Sequence, residues 1–478
     1  ISKKLELSTT TDGFLMPRLT TAQKSAVSSP DTDLLIFNTD TDAIERYNGS
    51  VWVSANLPKY VVKSGGVNTP YSDFKTAVDA APAGAVLEVN TSEVIDVGMP
   101  STYWNWTKDL TIQTNGHDVI MTNLNRIQIS VSSNLNTLNI IGGGTFSSSH
   151  NQVFTIYRNL TINSDGATNI ISTATNGILF QPISNVAGTT FTVNNVKSVG
   201  VYYLFTRNNN LQHYTTLNNC HIDLTNSTTG ASIINYKRIT ANNCTFKHTG
   251  GSITYPQNSS FATVTDDEAF IFNNCTTVGN YGRCMLRLNN CSITTTTTTN
   301  AGIYNVTLEA NNTSFKNINT SSPSNLQGFT ISSSALVILK NCTIDSDWGG
   351  VYLSTESSVI DNCTIKSGDS WGVFRYNSGA NVSNFLTIKN STIEVGAYSA
   401  IGTIYGNLGK QFDISNTTII TSGASSHCLG MSTGTHARFD NLKLKNLATP
   451  ANILNRADLL TENPQVNTLD NLGNIVLA

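Results

Sequence analysis

A five-residue phrase recurs along the chain and limits its fold more than any other feature. It reads Asn218-Asn-Cys-His-Ile222, Asn242-Asn-Cys-Thr-Phe246, Asn273-Asn-Cys-Thr-Thr277 and Asn289-Asn-Cys-Ser-Ile293. It continues as Asn311-Asn-Thr-Ser-Phe315, Lys340-Asn-Cys-Thr-Ile344, Asp361-Asn-Cys-Thr-Ile365, Lys389-Asn-Ser-Thr-Ile393 and Ser415-Asn-Thr-Thr-Ile419. Weaker copies such as Lys108-Asp-Leu-Thr-Ile112 and Arg158-Asn-Leu-Thr-Ile162 precede these. The third position falls at 220, 244, 275, 291, 313, 342, 363, 391 and 417, in steps of 16 to 31 residues. A period of about 25 residues made of short β-prone runs marks a solenoid, whose repeats bury their apolar faces only by stacking on one another.

Alternation along a strand puts the small third residue and the fifth, usually Ile or Phe, on one face, which points inward. The Asn before the third residue tolerates the left-handed conformation of a tight corner, and stacked Asn amides can bond from turn to turn. A second strand opens on glycine in Gly302-Ile-Tyr-Asn305, Gly328-Phe-Thr-Ile331, Gly350-Val-Tyr-Leu353 and Gly372-Val-Phe-Arg375, and a third precedes each Asn, as in Ala335-Leu-Val-Ile-Leu339. Three short strands per turn predict an all-β fold, a right-handed parallel β-helix with three sheets. Six of the eight cysteines (Cys220, Cys244, Cys275, Cys291, Cys342 and Cys363) share the inward position, and they read as a core ladder of small buried hydrophobes rather than a disulfide framework. The Asn-Cys-Thr sequons arise from the same ladder.

Composition narrows the function. Charged residues are 12% of the chain and the net charge is −3, with no basic cluster, so nucleic acid is not an expected partner. Apolar runs are too short for membrane insertion. No CxxC pair occurs and the seven histidines are scattered, so no metal and no cofactor are expected. The chain opens on Ile1, which reads as a fragment or a processed product.

The first 58 residues lack the repeat. They hold Gly13-Phe-Leu-Met-Pro-Arg-Leu-Thr-Thr-Ala-Gln-Lys24, Leu34-Leu-Ile-Phe-Asn-Thr-Asp40 and Tyr47-Asn-Gly-Ser-Val-Trp52. Thr20 or Thr21 can cap a short helix there. This segment resembles a small module near the N-termini of phage tail-fibre and related surface proteins, with Asp33 where that family has Gly and Phe37 where it has Tyr. The resemblance implies a homotrimeric virion protein on the tail surface, extracellular, joined to other tail or capsid proteins through residues 1–58. Residues 59–90 carry a linker and a short amphipathic helix from 74 to 81, closed by Pro82 and Gly84. They resemble the start of pectin-lyase-like β-helices, where such a helix covers the open end. The body is expected over 91–445, about 13 turns, a rod on the order of 60 Å at ~4.8 Å per turn. Residues 446–478 lose the repeat and are expected to form a cap or a trimer contact, and Thr294–Thr299 a bulging loop.

Phage spikes of this kind bind or cut host-surface polysaccharide, so the resemblance implies a host glycan as partner. The residues that best suit it are aromatic. Trp348, Trp371 and Tyr398 follow the inward Ile344, Ile365 and Ile393 by four to six residues, with Asp345, Asp347 and Asp369 beside them. Tyr304, Tyr352 and Phe374 fall at outward positions of the next strand with Thr330 between, an exposed aromatic column that serves either glycan binding or a subunit contact. Catalysis has weaker support. A hydrolase needs two carboxylates across a groove, and the densest acidic group is Asp266-Asp267-Glu268, more simply read as a solvated turn. The expectation is therefore a structural, glycan-binding fibre, with a polysaccharide hydrolase or lyase, or a bacterial surface adhesin, as alternatives.

Overall fold

The computed structural model describes residues 15–41, 43–55, 58–174, 177–183, 188–201, 203–205, 214–224, 238–252, 269–282, 284–297, 302–319, 328–333, 335–354, 357–376, 384–396, 400–403, 409–424, 427–430, 435–448, 460–461, 466–467 and 475–477. The body is a parallel β-helix with three sheets. The first sheet holds the strands that lead into each Asn corner, from Leu110–Gln113 through Val337–Lys340 to Thr435–Asp440. The second holds those that leave it, such as Thr343–Ser346 and Thr364–Ser367. The third includes Phe329–Ser333, Gly349–Leu353 and Val373–Arg375.

Each copy of the phrase arrives at the same corner in register. Asn218 pairs with Asn242, Asn242 with Asn273, and Asn273 with Asn289. Behind the corner the fifth residues stack as Ile222, Phe246, Thr277, Ile293, Phe315, Ile344, Ile365, Ile393 and Ile419. Asn219, Asn243, Asn274, Asn290, Asn312, Asn341, Asn362, Asn390 and Asn416 all have φ between 47° and 55°, the left-handed conformation that Asn adopts at little cost. Their amides bond from turn to turn, Asn243 to Asn219 at 3.2 Å and Asn362 to Asn341 at 2.7 Å. A second rail runs beside it through Asn163, Asn194, Asn218, Asn242, Asn273 and Asn289.

The six ladder cysteines lie in the hydrophobic core. All the cysteines are free and buried, and the same inward place is taken by Val196 and Leu442 after the corner residues Asn195 and Asn441. Cys342 Sγ donates to the Lys340 carbonyl at 3.1 Å and Cys363 Sγ to the Asp361 carbonyl at 3.3 Å. Where the phrase changes residue the bond persists, from Thr313 to Asn311 at 3.0 Å and from Ser391 to Lys389 at 2.7 Å. Each of these carbonyls also accepts a backbone N–H from the turn before, Lys340 from Asn312, Asp361 from Asn341, Asn311 from Asn290 and Lys389 from Asn362, so the side-chain bond is an addition to the ladder. The neighbouring Cys220 thiol and burial push the Cys244 thiol up to about 12, so it stays protonated.

Both ends are closed by antiparallel strands. At the start, Tyr60–Ser64 runs antiparallel to Ala85–Val89, and the helix Phe74–Ala80, capped by Asp73, buries Phe74, Ala77 and Val78 in the core. Trp104 and Trp106 lie beneath this helix. Phe74 meets Trp104 edge-on at 6.2 Å, and the Trp104 indole donates to Asp79 at 2.8 Å. At the far end, Ile475–Leu477 runs antiparallel to the last second-sheet strand. The expected loop at 294–299 is corrected in part: Ser292–Thr297 is a strand paired along its length with Ser314–Asn319, and 298–299 lie outside the described residues.

The amino-terminal module is a separate four-stranded sheet. Arg18–Leu19 lies parallel to Leu35–Asn38, which pairs antiparallel with Ala43–Tyr47, and that strand with Trp52–Ser54. Thr20 and Gln23 form a capping box on the helix Thr21–Ser25. Asp33 takes φ 70° and pairs with Arg46 at 2.7 Å, which shows why a glycine suits this turn.

Candidate functional site

The third sheet carries the aromatic residues singled out above. Its inward side chains Ile303, Ile331, Val351 and Val373 belong to the main core. The outward column, in register, is Tyr304, Ser332, Tyr352, Phe374 and Gly402, so Ser332 holds the place expected for Thr330, which is itself buried. Glycines at the strand entrance let successive turns approach. A side chain on Gly350 would strike the Gly372 backbone and Ile365, and one on Gly282 the ring of Tyr304.

Two residues of the column are not exposed. Tyr352 and Phe374 are 7% and 4% exposed, and with Phe329 they form a small hydrophobic cluster of their own outside the solenoid core. Their rings stack at 5.4 Å and 19°. Phe329 packs on Tyr352 at 5.6 Å, Trp371 on Phe374 at 5.1 Å, and Tyr376 stacks on Tyr352 at 6.2 Å. Burial, then the nearby Tyr376, pushes the Tyr352 phenol up to about 12, so it stays protonated. The accessible rim of this cluster is the half-buried Trp371 and the exposed Tyr376. Tyr304 is half-buried and is separated from the others by Ser332.

Trp348 sits on the corner between the second and third sheets, where its carbonyl accepts from Ser370 N–H at 3.0 Å. Its indole is half-buried, and among the described residues the buried indole N–H meets no acceptor. Trp371 lies one residue farther on, its carbonyl accepting from Gly350 N–H at 3.0 Å. The two tryptophans therefore occupy one corner on successive turns, offset by a residue. Tyr398 lies outside the described residues.

The three aspartates separate. Asp347 and Asp369 are exposed on the tryptophan corner. Asp345 lies on the outer face of the second sheet in a column of alternating charge, between Lys316 and Lys366, with Lys366 paired to Glu394 at 3.3 Å. That column gives Asp345 a structural role, since opposite charges on adjacent strands attract. Asp266, Asp267 and Glu268 fall outside the described residues. Phe329 and Tyr376 were missed in the sequence reading. The period-two pattern carried past Phe374 reaches Tyr376, and Phe329 follows one of the corner glycines.

Residues 2–70 match the family model described as the phage tail like trimerisation region. The module and the β-helix together fit a phage tail fibre or tailspike. No curated protein matches the chain. Solved structures similar to it include the Agl-KA catalytic domain (13% identity, 74% of this chain and 63% of that one, TM-score 0.33). The chain thus spans under two thirds of that domain. Others are the tailspike protein gp49 of Acinetobacter baumannii bacteriophage Fri1, a capsular polysaccharide depolymerase (11%, 89% and 71%, 0.25), and the mannuronan C-5 epimerase AlgE6 A-module of Azotobacter vinelandii (10%, 70% and 92%, 0.27).

Proposed function

We propose that this chain is a homotrimeric phage tail fibre or spike. It joins the virion through its amino-terminal module and binds a glycan of the host surface on the aromatic rim of the third sheet. The carrying observation is a cluster of packed rings outside the core, with Trp371 and Tyr376 at its accessible edge. Rings held rigid by their neighbours lose little entropy when a sugar stacks on them. Asp347 and Asp369, exposed on the same corner, supply acceptors for sugar hydroxyls.

The test is titration of purified host polysaccharide into the full chain and into Trp371→Ala and Tyr376→Ala. Each variant should weaken binding about tenfold or more, ~1.4 kcal/mol, with the trimer mass unchanged. Unchanged affinity in both would refute the reading. Loss of the trimer in either would make this face a subunit contact. New reducing ends or unsaturated sugars during the titration would show a depolymerase instead of a binding fibre.

A further inference from the structure

We infer that a second ligand site lies over the first turns of the solenoid, where Arg126 receives the carboxylate of an acidic sugar. Arg126 stands on the strand Val119–Ile129, in register with Tyr103 of Glu93–Asn105. Its guanidinium lies 5.8 Å from the Tyr103 ring centroid, and Nη1 donates to Gln152 Oε1 at 3.3 Å. The side chain is half-buried, and its Nε is buried without an acceptor. Among the described residues no carboxylate pairs with it, whereas Lys24, Arg46, Lys59, Lys63 and Arg287 each have one. A partly desolvated cation with spare donors and no counter-ion is costly unless an anion completes it.

The neighbours define the ligand further. His150 lies close enough to feel the charge of Arg126, and its Nδ1 is also buried without a partner. Burial, then Arg126, holds the imidazole below its ordinary range, which leaves it neutral and able to meet a hydroxyl. Its backbone is fixed from both sides, His150 N–H donating to Ser148 Oγ at 3.2 Å and Ser172 Oγ donating to the His150 carbonyl at 2.7 Å. Tyr103 is 48% exposed and offers a ring at the edge. A cation for a carboxylate, an acceptor for a hydroxyl and an aromatic face together suit a uronic acid better than inorganic phosphate. The inference deepens the glycan-binding reading but uses none of the residues of the third-sheet rim.

The probes are trigalacturonate, maltotriose and inorganic phosphate, each titrated into the full chain while the His150 imidazole resonance is followed. Trigalacturonate should bind and shift that resonance. Arg126→Gln should weaken it about tenfold or more, Arg126→Lys should weaken it less, and maltotriose and phosphate should leave the resonance in place. Equal binding by wild type and Arg126→Gln overturns the inference, as does the absence of any trigalacturonate binding. Phosphate binding as tightly as trigalacturonate overturns the sugar assignment. Trp371→Ala should bind trigalacturonate like wild type, so failure of the rim and failure of this site give different results.

Discussion

In the described part of the amino-terminal module the only buried hydrophobic side chain is Ile36, whereas each sheet of the solenoid adds one or more to the core at nearly every turn. The module's interior is largely polar. Asn38 is fully buried, Glu45 is 7% exposed, and Glu45 binds Lys24 at 2.6 Å and Asn38 at 2.8 Å. Leu15, Leu35 and Val51 face outward at 81%, 41% and 57% exposure. A sheet this small buries too little apolar surface to be stable alone. The solenoid needs no partner for its core, since each turn is covered by the next and the two ends are closed by antiparallel strands. The difference teaches that assembly and endurance reside in different parts of the chain. The module depends on other copies, and the rod depends on its own repetition.

That division can be broken first at Ile36. Ile36→Asp places an unpaired charge in the one buried apolar site among the module's described residues, which costs several kcal/mol. The expected result is loss of the trimer by light scattering, with the β-sheet circular dichroism retained. A surviving trimer would move assembly to the solenoid.

A smaller effect is expected at a solenoid corner. Asn362→Ala must adopt φ near 54° without an amide, at a cost of about 1–2 kcal/mol for the conformation and about 1 kcal/mol for the lost bond. Asn362→Gly keeps the conformation and loses the bond alone, so denaturant unfolding should place it between wild type and the alanine variant. Both should remain trimeric. Equal destabilisation by the two would show that the left-handed turn is not what selects Asn.

The smallest effect is expected in acid. Glu45 lies below the ordinary glutamate range: burial opposes this, and the bonds from Lys24 and Asn38 outweigh it. A depressed carboxylate stabilises the fold above its unfolded pKa and loses that contribution as pH falls through the folded one. Below about pH 4 the module should therefore loosen, while the Asn and Cys rails, which do not titrate there, hold the rod. Sedimentation at descending pH should show dissociation before any change in the circular dichroism. The reverse order would contradict the division.

Much of this was readable beforehand because it repeats. Asn219 through Asn416 announced a corner visited once per turn, and the alternation around Ile344 and Ile365 fixed which side chains face in. The sequence of Trp348 and Trp371 placed them on one corner within a residue. The inward facing of the ladder cysteines was also present in the text, since each stands two residues before an inward Ile, Phe or Thr of the strand that follows it.

What the linear chain determined is the spiral itself: a periodic pattern specifies strand register and facing through local geometry, turn after turn. What only the folded state decided is exposure on the outside of that spiral. Tyr352 and Phe374 point outward as their positions require, yet Phe329 and Trp371 from adjacent turns lean over them, and Arg126 gains no carboxylate from any described neighbour. Those outcomes depend on which side chains meet across separate turns, and such meetings have no fixed spacing along the chain.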